Sequence, residues 1–137
     1  MKKLFLLAVA ALLSFPVLAQ TDIVKTDTVG AEDMVFLQVD VEPEFPGGLD
    51  SLFRFIWQNT QYPQKAVRNN ITGKVYVTFV IEKDGSVSNV EVLRGVHKLL
   101  DKEAVRVTKL LPRWSPAMEN GRPVRFRFNL PYVFVLQ

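Results

Sequence analysis

The sequence predicts an α+β fold: a small antiparallel sheet of three core strands and a short N-terminal one, with two to three helices on one face. Three observations lead there. The last stretch alternates almost without error: Val124, Phe126, Phe128, Leu130, Tyr132, Phe134 and Leu136 take one face, Arg125, Arg127 and Asn129 the other. That period of two marks a half-buried strand. Two apolar runs flank Lys83-Asp84-Gly85-Ser86, and Asp-Gly is a strong hairpin signal. Two further segments repeat their apolar residues at helical spacing.

Val35, Leu37, Val39 and Val41 alternate as a short strand, stopped by Pro43, Pro46, Gly47 and Gly48. Leu49, Leu52, Phe53, Ile56 and Trp57 follow at i, i+3, i+4, i+7 and i+8, an amphipathic helix on which Trp57 reads as a core residue. Pro63 suits the first position of the next helix, because its missing N–H is not needed there. From Lys74, Val75, Val77, Phe79 and Ile81 point one way and Tyr76, Thr78 and Val80 the other, so this strand expects apolar cover on both faces and a central place. Val87 to Leu93 returns from the turn. Asp101 to Leu111 reads as a third helix with Leu100, Ala104, Val107 and Leu111 on one stripe, and Pro112 stops it. Trp114, between that stop and Pro116, reads as structural. A hairpin, a helix and a further strand fit a split β-α-β order with the first hairpin strand in the middle. The last strand is expected at a sheet edge, where unpaired backbone can accept a partner's strand.

With 137 residues, 48% of them apolar, there is room for one domain. Met1, Lys2 and Lys3, the apolar run Leu4 to Leu13, and a small residue at Ala19 form an export signal cleaved between Ala19 and Gln20. The apolar run of about ten residues is short against the roughly 20 of a spanning helix. Retention as an inner-membrane anchor is the alternative. The expected organisation is thus a signal over 1–19, a disordered polar leader over 20–34, and a folded domain over 35–137.

Loss of Lys2 and Lys3 takes the net charge from +3 to +1, which removes the main support for nucleic-acid binding. With no cysteine, the domain rests on its apolar core alone. The same composition argues against an enzyme and against any cofactor or metal. There is no thiol nucleophile, the single histidine His97 offers no ligand cluster, and neither Ser51 nor Ser115 has a Gly-x-Ser-x-Gly setting. Gly47-Gly48 lacks the Lys-Ser/Thr of a phosphate loop.

Tyr62-Pro63 with Ala66, Gly73-Lys74-Val75, Asp84-Gly85 followed by Val87, and Pro112-Arg113-Trp114-Ser115-Pro116 ahead of Gly121 and Pro123 together resemble the TonB C-terminal domain family. Pro43-Glu44-Phe45-Pro46-Gly47-Gly48 and Leu130-Pro131-Tyr132-Val133-Phe134 are similar to the version common in Bacteroidetes. The resemblance spans roughly residues 35–137. It implies a periplasmic domain that binds the TonB box of outer-membrane TonB-dependent receptors by strand addition and serves TonB-dependent transport. The matching edge is Arg125, Phe126, Arg127, Phe128 and Asn129. The family's second receptor-contact region falls on Gln58, Asn59, Thr60 and Gln61, beside Tyr62. An ExbB/ExbD-type motor is implied as a partner if residues 1–19 are retained. The domain would then be an energy transducer anchored in the inner membrane and facing the periplasm. A structural module that pairs its own edges, as a homodimer, is the alternative from another class.

Overall fold

Two long runs of β-branched and aromatic residues form the middle of the sheet. In the computed structural model, which describes residues 33–137, β2 (Gly73–Ile81) and β5 (Arg122–Phe134) pair antiparallel from Gly73–Phe134 to Ile81–Phe126. The expected export signal, its expected cleavage position at Ala19 and Gln20, and all of the expected leader except Asp33 and Met34 lie outside the described residues. β3 (Val87–Arg94) lies on the other side of β2, so the first hairpin strand takes the expected middle place. Thr78 and Val80 are buried although they point away from the main core, as a central strand requires. β4 (Ala117–Glu119) pairs with the first residues of β5 through the two-residue turn Asn120-Gly121. Both turn residues have positive φ, which suits a tight hairpin turn of this kind.

The sheet departs from expectation at its N-terminal strand. β1 (Val35–Phe36) is only two residues long and runs parallel to β5, opposite Arg125 and Phe126. The alternation through Val41 does not extend it. Asp40 is held instead by the β4–β5 turn: Asn120 N–H donates to Asp40 Oδ2 (3.0 Å), and Asp40 N–H donates to Glu119 Oε2 (2.8 Å). Val41 and Met118 then exchange backbone hydrogen bonds of 3.0 and 2.9 Å. These contacts bend the chain away after Phe36 and leave Leu37 exposed.

α3 (Lys98–Thr108) buries Leu100, Ala104 and Val107, and Leu111 beyond its end, the expected stripe. It starts three residues earlier than expected because His97 caps it, with Nδ1 accepting from Leu99 N–H at 3.1 Å. The single histidine is a helix cap. α2 (Gln64–Arg68) is one short turn after Pro63, with Ala66 buried.

α1 (Gly48–Asn59) corrects the sequence reading. Leu52 is buried and Phe55 and Ile56 pack against the core, whereas Leu49, Phe53 and Trp57 face solvent, Trp57 at 83% exposure. The helix carries two adjoining apolar stripes. Leu52, Phe55 and Ile56, at i, i+3 and i+4, take the core. Leu49, Phe53 and Trp57, at i, i+4 and i+8, form a second row that faces outward. Trp57 is therefore not a core residue.

Tyr132 and Thr108 meet in the core. Thr108 Oγ1 donates to Ala104 O and contacts the Tyr132 hydroxyl, both at 2.7 Å. Burial pushes the Tyr132 phenol up to about 12, although the Thr108 hydrogen bond works the other way. The folded chain thus favours the neutral phenol. Its contribution is complete below about pH 10, where the unfolded chain also keeps the proton, and is lost as pH rises through about 12. We expect the domain to be about 1.4 kcal/mol less stable at pH 11 than at pH 9 from this group. Urea midpoints of wild type and Tyr132→Phe check this; a pH loss of equal size in both would refute it.

A candidate peptide-binding edge

The last strand is an edge over part of its length only. Its inner side is paired with β2 from Phe126 to Phe134. On the side away from β2, β1 covers Arg125 and Phe126, and no described strand pairs beyond them. Of the expected edge residues, Arg125 and Phe126 therefore already have a strand opposite them, while Arg127, Phe128 and Asn129 lie past its end.

Backbone parity decides which of these present hydrogen-bonding groups outward, since successive residues of a strand turn them to opposite sides. Pro131 sits within the β2 register, opposite Tyr76. Proline is accommodated in a strand where its missing N–H would face away from the ladder. Residues of the same parity, Arg127, Asn129 and Val133, thus turn their N–H and C=O groups to the open side. Phe128 turns its own toward β2, and its ring lies against Phe79 and Trp114 at 5.6 and 5.1 Å.

The two arginines differ. Arg125 grips Glu82 in a two-bond fork, Nε to Oε2 at 2.7 Å and a terminal nitrogen to Oε1 at 3.1 Å, and donates to the Asp33 carbonyl at 2.9 Å. The Arg125 hydrogen bonds hold the Glu82 carboxyl below the usual carboxylate range against the effect of burial, and Ser88 adds a further hydrogen bond. This pair anchors the start of the edge and leaves Arg125 little to offer a ligand. Among the described residues Arg127 reaches only Thr78 Oγ1, at 3.3 Å.

The segment Gln58 to Gln61 is the end of α1 and the link that follows, and α3 holds it in place. Arg106 donates to Asn59 O at 2.8 Å, and Gln61 N–H donates to Glu103 Oε1 at 2.8 Å. Burial pushes the Glu103 carboxyl up, but hydrogen bonds from Arg106 and Gln61 outweigh it and the net shift is downward. Asn59 and Thr60 side chains cap the helix end through Phe55 O and Ile56 O. Tyr62 donates its hydroxyl to Ile71 O and stacks edge-on against Phe134, centroids 5.5 Å apart. The segment thus meets the far end of β5 through Tyr62 and Phe134, away from Arg125 to Asn129. Sequence reasoning missed Trp57 and Val133 beside it, both exposed. The i, i+4, i+8 spacing from Leu49 was the signal for Trp57.

These features define a small α+β domain whose last strand, among the described residues, is paired along one side and largely unpaired along the other. The description "Gram-negative bacterial TonB protein C-terminal" matches residues 58–136, and the chain belongs to that family. It is a family of non-enzymatic interaction domains on the periplasmic side of the envelope, involved in TonB-dependent transport. Among solved structures, the chain is similar to the TonB C-terminal domain of Helicobacter pylori, with 23% identity, a TM-score of 0.49, and coverage of 67% of this chain and 87% of that one. For the corresponding domain of Pseudomonas aeruginosa the figures are 26%, 0.47, 57% and 79%. No curated protein matches the chain.

Proposed function

We propose that this domain captures the TonB box of an outer-membrane receptor by adding it as a strand to the open side of β5, beyond Phe126. The observation that carries the reading is the half-paired state of that strand: β2 saturates one side, and on the other no strand among the described residues pairs past β1. Family membership supplies the class of partner.

The energetics suit a reversible grip. Each added backbone hydrogen bond contributes about 1 kcal/mol net, while ordering each peptide residue costs roughly 1–2 kcal/mol. Backbone pairing alone thus gives little affinity, and side-chain contacts must supply the rest. Residues 1–19 as a cleaved export signal complete the reading and give a free periplasmic binding module. Their retention would give an anchored energy transducer working with an ExbB/ExbD-type motor. The N-terminal residue of the native protein decides between the two.

Amide hydrogen exchange tests the edge. With a TonB-box peptide added, the N–H groups of Arg127, Asn129 and Val133 are expected to gain protection, while those of Phe128 and Leu130, already turned to β2, stay as they were. Protection confined to β3, the opposite edge of the sheet, would refute the assignment. Pairing of two copies without peptide would favour self-assembly.

A further inference from the structure

We propose that the apolar groove between the C-terminal half of α1 and the end of β5 is a side-chain subsite, taking bulky apolar residues of one parity from the captured receptor strand. The inference rests on the strand-addition reading above and specifies the chemistry of its partner.

One wall of the groove is Ile56, Trp57, Thr60 and Tyr62; the other is the end of β5 from Tyr132 to Val135. No residue of β2 lines it, so it lies on the open side of the strand. Its volume is about 280 Å³, at the lower limit of the roughly 300–1,000 Å³ typical of small-molecule sites. That suits a few side chains better than a whole ligand. Trp57 is 83% exposed, and with Ile56, Tyr62, Tyr132 and Phe134 it gives an apolar lining to a cleft that the domain itself does not fill.

The occupant follows from what borders the groove. That border is a strand whose outward N–H and C=O groups have no ladder partner among the described residues. A helix has satisfied its own backbone and cannot pair them, whereas an extended segment can. Once such a segment is paired, residues directly opposite Tyr132 and Phe134 share their face of the sheet, with Cβ atoms about 4.5–5.5 Å apart. That face leads to Ile56, Trp57 and Tyr62. Residues of the other parity emerge on the Val133 face. The groove therefore reads every second residue of its partner, and it reads size and apolarity.

Tryptophan fluorescence of the full chain gives a direct test, because Trp114 is buried and Trp57 is the exposed one of the two tryptophans. The probes are a synthetic TonB-box decapeptide and two variants with the apolar residues of one parity or the other replaced by alanine. We expect the parent peptide to shift the emission to shorter wavelength and to shield it from acrylamide. One variant should lose the shift and about tenfold in affinity, the other little of either. Trp57→Ser should weaken the parent about tenfold and abolish its advantage over the groove-parity variant, the coupling a double-mutant cycle measures. Equal losses at both parities, or binding with unmoved emission, would overturn the subsite. If in that case Asn129→Pro still abolishes capture, strand addition survives and only the groove fails. If no peptide binds the wild type, both fail together.

Discussion

Trp114→Ala is expected to destabilise the domain by about 3–5 kcal/mol, the cost of deleting a large aromatic from a packed core. That is a large share of the 5–15 kcal/mol that typically holds a domain together. Trp114 is 4% exposed and sits among three aromatic rings, with centroid distances of 5.3 Å to Phe45, 6.1 Å to Phe79 and 5.1 Å to Phe128. It thereby joins the loop before α1 to the two central strands. Its backbone is also held: Trp114 N–H donates to Gly85 O at 2.9 Å. Gly85 has φ +84°, and a Cβ there would lie 1.8 Å from the Trp114 carbonyl oxygen. The hairpin turn and the tryptophan therefore fix one another. The indole N–H, by contrast, has no acceptor among the described residues. Trp114→Phe should accordingly cost under about 1.5 kcal/mol, because it removes a buried unpaired donor along with some volume. Urea unfolding at unchanged m-value separates the two substitutions. An alanine variant as stable as the phenylalanine one would show that the cluster does not depend on the ring.

The fold was legible where one pattern had no competitor. Phe126, Leu130, Tyr132 and Phe134 could face only a core, and Val75 to Ile81, apolar on both sides, could only be central. Asp84-Gly85 set the hairpin, with Asp84 Oδ1 accepting from Ser86 N–H at 2.9 Å. Legibility failed where two local signals competed. Val35 to Val41 alternates like a strand, but Asp40 offers a carboxylate to the neighbouring turn, and that contact together with the Val41–Met118 bridge ends the strand after Phe36. α1 has more apolar residues than one face can bury. Leu52 and Ile56 could equally have been grouped with Trp57 or with Phe55, and the surface of the sheet beneath them made the choice.

The site was half legible for a related reason. The alternation of the last strand shows which of its faces is buried, not which of its two sides is paired. How much of it is open depends on β1, whose pairing with Arg125 and Phe126 spans about 90 residues of sequence and leaves no periodic trace. The pairing of Arg125 with Glu82, 43 residues away, is equally non-local. It turns the cation nearest the expected site into a brace. The groove beside Trp57 was hidden by the assumption that an apolar stripe on a helix is always buried.

Asn129→Pro is expected to abolish peptide capture while leaving the fold nearly intact, and Phe128→Pro to do the reverse damage, unfolding the sheet. The difference lies in one step of backbone parity. Asn129 lies opposite Thr78, has an exposed side chain and shares the parity of Pro131, whose ring the strand already accommodates. A ring there removes an outward N–H and stands in the path of an incoming strand, so affinity should fall by tenfold or more, about 1.4 kcal/mol or beyond, with little change in urea midpoint. Phe128 faces Phe79 across the ladder. Proline there removes a bond to β2 and a ring from the cluster around Trp114, at a cost of about 3 kcal/mol or more. Peptide titration and urea unfolding of both variants read the two effects separately. A folded Phe128→Pro that has lost capture, beside an Asn129→Pro that binds normally, would mean that the even-numbered residues face the open side. The register of the captured strand would then shift by one residue, and the side chains entering the Trp57 groove would be those of the opposite parity.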